Sequence, residues 1–146
     1  MQRYLVLISF LALSFCSLPL LAQQASPDQE AYVDSVGSKM KYAARIEMPR
    51  GHISGICVLM TEDGVIKGSM FNEFGISSMD FVYHRGEKKV KFVNVIKMLD
   101  KWYVRRVLGR DMAHVVNNLL SGISTYRNEK YKIDYKFTIL EDATEE

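Results

Sequence analysis

The stretch that decides the fold runs from Met70 to His84 and reads MFNEFGISSMDFVYH. Apolar and polar residues alternate on either side of the turn-like segment Asn72–Gly75. Alternation with a period of two is typical of a strand with one buried face, and a short Asn/Gly-containing connection is typical of a hairpin. The stretch therefore predicts two antiparallel strands, with Met70 and Met79 side by side on one face.

The same pattern extends outward from this hairpin. Further strands are predicted at Met40–Met48, Ile53–Met60, Val65–Asn72, Lys88–Phe92 and Tyr131–Ile139. Asp63-Gly64 is a strong hairpin turn, so the first strands should form an antiparallel meander. Ile53–Met60 is apolar on both faces, which predicts a central strand covered on both sides. Tyr131–Ile139 should rejoin the sheet by pairing with an exposed edge.

One segment has a helical period instead. Between Leu99 and Leu120, apolar residues recur every three or four positions: Val104, Leu108, Met112, Val115 and Leu119. Asp100 is the expected N-cap. Gly109 lowers helix stability by about 1 kcal/mol relative to alanine and is expected to weaken the segment or split it in two. The predicted fold class is thus α+β, with a curved antiparallel sheet covered by a helical segment.

The beginning of the chain resembles a signal peptide. Arg3 is followed by the apolar run Tyr4–Leu13, and the segment ends in a small residue, Ala22. Cleavage is expected after Ala22, which makes residues 1–22 the signal peptide; cleavage after Ala25 is the alternative. Lipidation of Cys16 is a second alternative, but Phe15 stands where lipidation signals carry a small residue, so a discarded cysteine is favoured.

The rest of the chain divides into three parts. Residues 23–38 are a polar, exposed lead-in with a short helical turn at Ala31–Val36, residues 39–140 form a single domain, and residues 141–146 are an acidic tail. The domain is long enough for a hydrophobic core. Only Cys57 remains after cleavage, so no intramolecular disulfide is possible.

Candidate catalytic residues are sparse. The three histidines are isolated from one another in the sequence: His52, His84 and His114. Cys57 lies in the most apolar strand, where a thiol is typically inert. The alternative that Cys57 is a nucleophile paired with His84 or His114 stays open. Asp80 and Asp111 are not brought together by any motif. We therefore predict a non-enzymatic protein without metal or cofactor.

Basic residues concentrate between Arg85 and Arg110, where nine occur against only Glu87 and Asp100. Three interpretations apply: a solvated face, a surface for anionic membranes or lipid headgroups, and a nucleic-acid site. Nucleic acid is disfavoured because the export signal removes the protein from the cytoplasm. The residues expected to face a headgroup or membrane are Lys101, Arg105 and Arg106.

Long, flexible side chains dominate the predicted inner face. Those expected to line it are Met60, Met70, Met79, Phe81, Phe92, Tyr135 and Phe137. Methionine adapts to irregular apolar partners. The face is either a plain core beneath the helix or a concave lining that accepts acyl chains, with the helix as a lid.

Several segments resemble a known group. Those that carry the similarity are His52–Gly55, Met70–Ile76, Met79–Phe81 and Met98–Lys101. They are similar to largely uncharacterised secreted proteins of Bacteroidetes, whose order of elements resembles the lipoprotein carrier and receptor (LolA/LolB) family. The resemblance implies an open antiparallel half-barrel, covered by helices, that holds lipoprotein acyl chains.

Together these patterns lead to one functional hypothesis and one alternative. We expect a non-catalytic, exported protein that binds acyl chains of a lipid or lipoprotein in the periplasm or at the periplasmic face of the outer membrane. The basic segment would steer it to anionic membrane surfaces. The alternative is an envelope-associated protein–protein interaction module without a lipid ligand.

Overall fold

Seven strands and one helix follow one another in the computed structural model, which describes residues 36–141. Their bounds are β1 Lys39–Met48, β2 Gly51–Glu62, β3 Val65–Phe71, β4 Ser77–His84, β5 Lys89–Val95, α1 Trp102–Leu120, β6 Thr125–Asn128 and β7 Ile133–Ile139. The predicted signal peptide, nearly all of the lead-in with its helical turn, and the tail beyond Glu141 lie outside the described residues.

All strands join one antiparallel sheet in the order β5-β4-β3-β2-β1-β7-β6. The sheet curls into a half-barrel with α1 packed against it, which confirms the predicted α+β class. β7 pairs with the free edge of β1, as expected for the last long strand. α1 connects β5 to β6 and contacts both, so the helix spans the two edges of the curled sheet.

The hairpin between β3 and β4 forms as predicted. Met70 and Met79 are register partners, and both side chains are buried. In the turn, the Asn72 side-chain Oδ1 accepts hydrogen bonds from the backbone N–H groups of Phe74 and Ile76, at 3.0 and 2.9 Å. Gly75 has a φ of 74°, a left-handed conformation that favours glycine. Asn72 and Gly75 thus fix the chain reversal.

Burial alternates along β2, contrary to the prediction that this strand is covered on both sides. Ile53, Cys57 and Leu59 are buried, whereas Ile56 and Met60 are exposed. The helix covers only the concave face of the sheet, and the described chain places no layer on the convex face. A strand that is apolar on both faces can therefore be central in the sheet and still be half exposed.

The helix differs from the prediction in two details. Lys101, not Asp100, is the N-cap residue, and no side chain caps the helix start. Asp100 instead forms an ion pair with Arg105, with Oδ1 and Nη1 3.2 Å apart. Gly109 does not split the helix, which is continuous over 19 residues because its apolar stripe is anchored in the core.

The core fills the space between the concave face and α1. The sheet contributes large side chains, and the helix contributes Leu108, Met112, Val115, Val116 and Leu119. Phe81 lies across from Gly68, where a Cβ atom would come within 2.2 Å of the ring. The absence of a side chain at Gly68 therefore leaves the space that the Phe81 ring fills, and the two residues pack closely.

Candidate functional site

Five of the seven residues predicted to line a ligand site form the closed core. Their side chains are at most 1% exposed: Met70, Met79, Phe81, Tyr135 and Phe137. Phe92 is half-buried on edge strand β5 and packs against the same core. The structure therefore brings these six residues together, beneath the helix rather than around an open cavity.

Met60 was assigned to the wrong face. It is 39% exposed and lies on the convex side of β2, where its register partners are Lys39 and Lys67. The neighbouring residues Leu59 and Thr61 point into the core instead. The error has a physical cause, because a run that is apolar on both faces contains no alternation from which the inward face can be assigned.

An apolar opening, here called the apolar mouth, lies at one end of the core. It has a volume of about 510 Å³, within the range of small-molecule sites. Its lining comprises Met48, Pro49, Arg50, Leu99, Tyr103, Val104, Val107, Leu108, Tyr131 and Ile133. The β1–β2 turn, the first two turns of α1 and the segment entering β7 meet here because all three reach the same end of the half-barrel. Of residues 36–141, Arg50 is the one charged residue in this lining.

Two lysines lie against tyrosines that line the apolar mouth. The Lys101 ammonium lies 6.0 Å from the centroid of the Tyr103 ring, and the Lys130 ammonium lies 5.3 Å from that of Tyr131. Both distances fit a cation–π contact. Arg50 adds a third positive charge. An apolar interior with a cationic rim is complementary to a hydrocarbon chain that ends in an anionic group.

The three residues predicted to face a headgroup separate into two places. Lys101 lies outside the lining of the apolar mouth and contacts Tyr103, which belongs to that lining. Arg105 and Arg106 line a groove between α1 and β5. This second site, here called the basic groove, is lined by Lys88, Lys89, Val90, Lys91, Arg105, Arg106, Gly109, Arg110, Ala113, His114 and Asn117.

A third depression, the turn groove, surrounds the Asn72–Gly75 turn and has a volume of about 960 Å³. Residues of His52–Gly55 and Phe71–Gly75 line it together with Met98, so three separate segments of the chain meet in space. Phe74 and Met98 are 78% and 58% exposed. Exposed apolar side chains of this size are typical of interaction surfaces when they cluster.

The candidate catalytic residues do not converge. Burial raises the pKa of Cys57 to about 12, so its thiol is protonated at neutral pH. Asp80 accepts a hydrogen bond from Ser77, whereas Asp111 is buried in the core. Within residues 36–141, no three His, Cys, Asp or Glu side chains lie close enough together to hold a metal ion.

Asp111 is the centre of a buried polar cluster. Its carboxylate accepts hydrogen bonds from the Tyr135 hydroxyl at 2.8 Å and from the Asn128 side-chain amide at 2.9 Å. Burial and the adjacent Asp111 carboxylate raise the pKa of Tyr135, so its hydroxyl stays protonated and donates. Each polar group has a partner, so the cluster ties α1 to β6 and β7 as a structural anchor.

Sequence reasoning missed Tyr103, Val107, Tyr131 and Lys130 at the apolar mouth. A weak signal existed, since both tyrosines lie near lysines at the ends of predicted elements. It also missed that Lys88, Lys89 and Lys91 join the helical arginines, because no local pattern predicts which strand lies beside a helix. In the part of the chain that the structure describes, no helix combines the length and hydrophobicity needed to cross a membrane.

No protein-family model matches this chain, and no curated protein or solved structure is detectably similar to it. A function must therefore be argued from the geometry of the three sites.

Proposed function

We propose that this protein is a non-catalytic binder of anionic amphiphiles, which takes the acyl chain of a lipid or lipoprotein into the apolar mouth. The observation that carries the proposal is an almost wholly apolar lining that includes Arg50 and two tyrosines, with Lys101 and Lys130 against the tyrosine rings. The hydrocarbon would enter the lining while its acidic group stays at the rim beside these cations.

The energetics favour such a ligand. Each methylene group transferred from water into the lining contributes about 0.8 kcal/mol, so a chain of moderate length gains useful affinity by burial alone. A rim cation adds a charge-assisted contact to a carboxylate or phosphate group. Met48 and the two tyrosines supply an adaptable apolar wall with polar tips at the water boundary.

We propose that the ligand binds at the mouth and not beneath the helix, since five of the seven residues predicted to line the site belong to the closed core. We also propose that the protein acts in the cell envelope. The signal-peptide pattern of residues 1–22 supports export to the cell envelope, where acyl chains of lipids and lipoproteins are the abundant apolar ligands.

The test is uptake of pyrene-labelled palmitic acid, followed by fluorescence. Replacing Val107 by glutamine puts an amide into the lining and should weaken uptake roughly tenfold, because the amide loses water without gaining a partner. The matched control is Val58→Gln, which changes a half-buried valine on the convex face and should leave uptake unchanged. The labelled methyl ester should bind more weakly than the acid, since it carries no charge for the rim.

Absence of uptake by the unaltered protein, together with a native mass spectrum free of co-purified lipid, would refute lipid binding. That result would favour the second candidate, a protein–protein interaction module of the envelope. The observation that favours this candidate is the exposed apolar pair Phe74 and Met98 at the turn groove.

A further inference from the structure

The basic groove carries an inference that does not depend on the apolar mouth. It has a volume of about 640 Å³ and runs between edge strand β5 and the stretch of α1 from Arg105 to Asn117. Six of its lining residues are lysines or arginines: Lys88, Lys89, Lys91, Arg105, Arg106 and Arg110. Among the residues that the structure describes, no carboxylate belongs to this lining, so its charged side chains are all basic.

Close packing of helix and strand creates this concentration of charge. A Cβ atom at Gly109 would lie 3.4 Å from the Phe92 ring and 3.8 Å from the Val90 carbonyl oxygen. The absence of a side chain at Gly109 lets α1 run directly beside β5. Cations from the start of β5 and from α1 thereby line one groove.

Most of these cations have no internal counter-charge. Arg105 pairs with Asp100. Among the described residues, the other five have no ion-pair partner. Like charges held close together in one groove repel one another, and a bound anion relieves that repulsion. The positive potential of the groove therefore favours a ligand that carries more than one negative charge.

The type of cation narrows the ligand further. Arg106 and Arg110 are four residues apart and lie on the same side of the helix. Their planar guanidinium groups match the oxygen geometry of phosphate, to which arginine binds with paired hydrogen bonds. Each phosphate monoester brings about 1.5 to 2 negative charges, which suits a groove of six cations better than a single carboxylate does.

We infer that the basic groove is a binding site for phosphate-bearing ligands with two or more phosphoryl charges. The phosphate can belong to a soluble molecule or to a lipid headgroup, and the two sources are separated by experiment. The soluble probe is inorganic pyrophosphate, titrated by isothermal calorimetry. The lipid probe is co-sedimentation with phosphatidylcholine vesicles that contain phosphatidic acid, compared with vesicles of phosphatidylcholine alone.

The groove variant is the double substitution Arg106→Gln and Arg110→Gln. We expect it to weaken binding of at least one probe by about tenfold or more, since two charge-assisted contacts are lost. The matched control is Arg45→Gln with Arg127→Gln, which removes the same charge from exposed arginines at the opposite part of the sheet. The control should change affinity by less than about threefold.

A second groove variant guards against misfolding of the first. Lys89→Gln with Lys91→Gln alters exposed side chains on an edge strand and should weaken the same probe. Loss for pyrophosphate identifies a soluble phosphate ligand, and loss for the vesicles alone identifies a lipid headgroup. Failure of both probes to bind, or equal losses in the groove and control variants, would overturn the inference. Uptake of labelled palmitic acid is read out separately, so failure of either proposal leaves the other standing.

Discussion

The thiol of Cys57 lies fully buried at the centre of the sheet, between Tyr42 on β1 and Met70 on β3. Among the described residues, no charged group offsets the cost of burying a thiolate here. Burial accordingly raises the pKa from the ordinary value of 9.0 to about 12. The residue acts as a small hydrophobic side chain, and its ionisation is linked to unfolding.

This linkage gives a prediction with a definite sign. Because the folded-state pKa is raised, the unfolded state releases the Cys57 proton first as the pH increases above about 9. The stabilisation is complete at lower pH and declines by about 1.4 kcal/mol per pH unit between the two pKa values. Urea unfolding from about pH 8 to about pH 11 should show a loss of roughly 2–3 kcal/mol attributable to this thiol.

The variant Cys57→Ala isolates that contribution. Its own destabilisation does not depend on pH, and the raised pKa values of Tyr83, Tyr126 and Tyr135 contribute equally in both proteins. The difference in unfolding free energy between the two proteins should therefore narrow as the pH rises. A difference that stays constant over the range would show that Cys57 does not titrate differently in the folded and unfolded states.

At the scale of secondary structure, α1 depends on tertiary contacts more than on its own signals. Its start has no side-chain cap, and its first turn has no acidic residue to favour the helix dipole. Gly109 weakens it further from within. The helix persists because Leu108, Met112 and Val115 are buried against the sheet.

Gly109→Ala should therefore stabilise the protein. Alanine raises helix stability by about 0.5–1 kcal/mol, and its Cβ would be in ordinary contact with Phe92 at 3.4 Å. Urea denaturation at neutral pH measures the gain. Gly109→Leu is the contrasting variant and should destabilise, because the larger side chain cannot fit between helix and strand. A loss of stability in the alanine variant would mean that the methyl group clashes with the Phe92 ring and that helix and strand are packed too closely to accept it.

Sequence patterns predicted strands well where apolar residues recur with one unambiguous period. β1, the β3–β4 hairpin and β7 were predicted because apolar residues alternate strictly along them. β6 was missed, since a strand of four residues is too short to establish a period. The N-cap was wrong because the capping preference of Asp100 competes with its ion pair to Arg105, which only the folded chain reveals.

The sites were less predictable than the fold. An inward-facing methionine and a ligand-lining methionine have the same sequence signature, and only packing distinguishes them. Met70 and Met79 belong to the closed core. The apolar mouth and the basic groove each combine residues from β-strand ends and from α1, so they exist only once the sheet has curled and both its edges have met the helix.

At the scale of the whole molecule, the two ends of the half-barrel differ. Polar and aromatic contacts fix the helix at one end, and the other, open end carries the apolar mouth. The second half of α1 is fixed by the buried hydrogen bonds of Asp111 and by the stack of His114 on Tyr126, whose ring centroids are 5.1 Å apart. The first half borders the apolar mouth and exposes Trp102 and Tyr103. Ligand-dependent changes should therefore be confined to the open end.

Hydrogen exchange with and without palmitic acid tests this division. If the acyl chain binds in the apolar mouth, exchange should slow at residues 99–108 and at the β1–β2 turn, because occupancy stabilises local structure there. Strands β3 and β4, which hold Met70, Met79 and Phe81, should exchange at the same rate in both samples. Protection that instead spreads through β3 and β4 would mean that the chain enters between sheet and helix. The helix would then act as a lid, and the mouth would serve only as an entrance to a core that opens on binding.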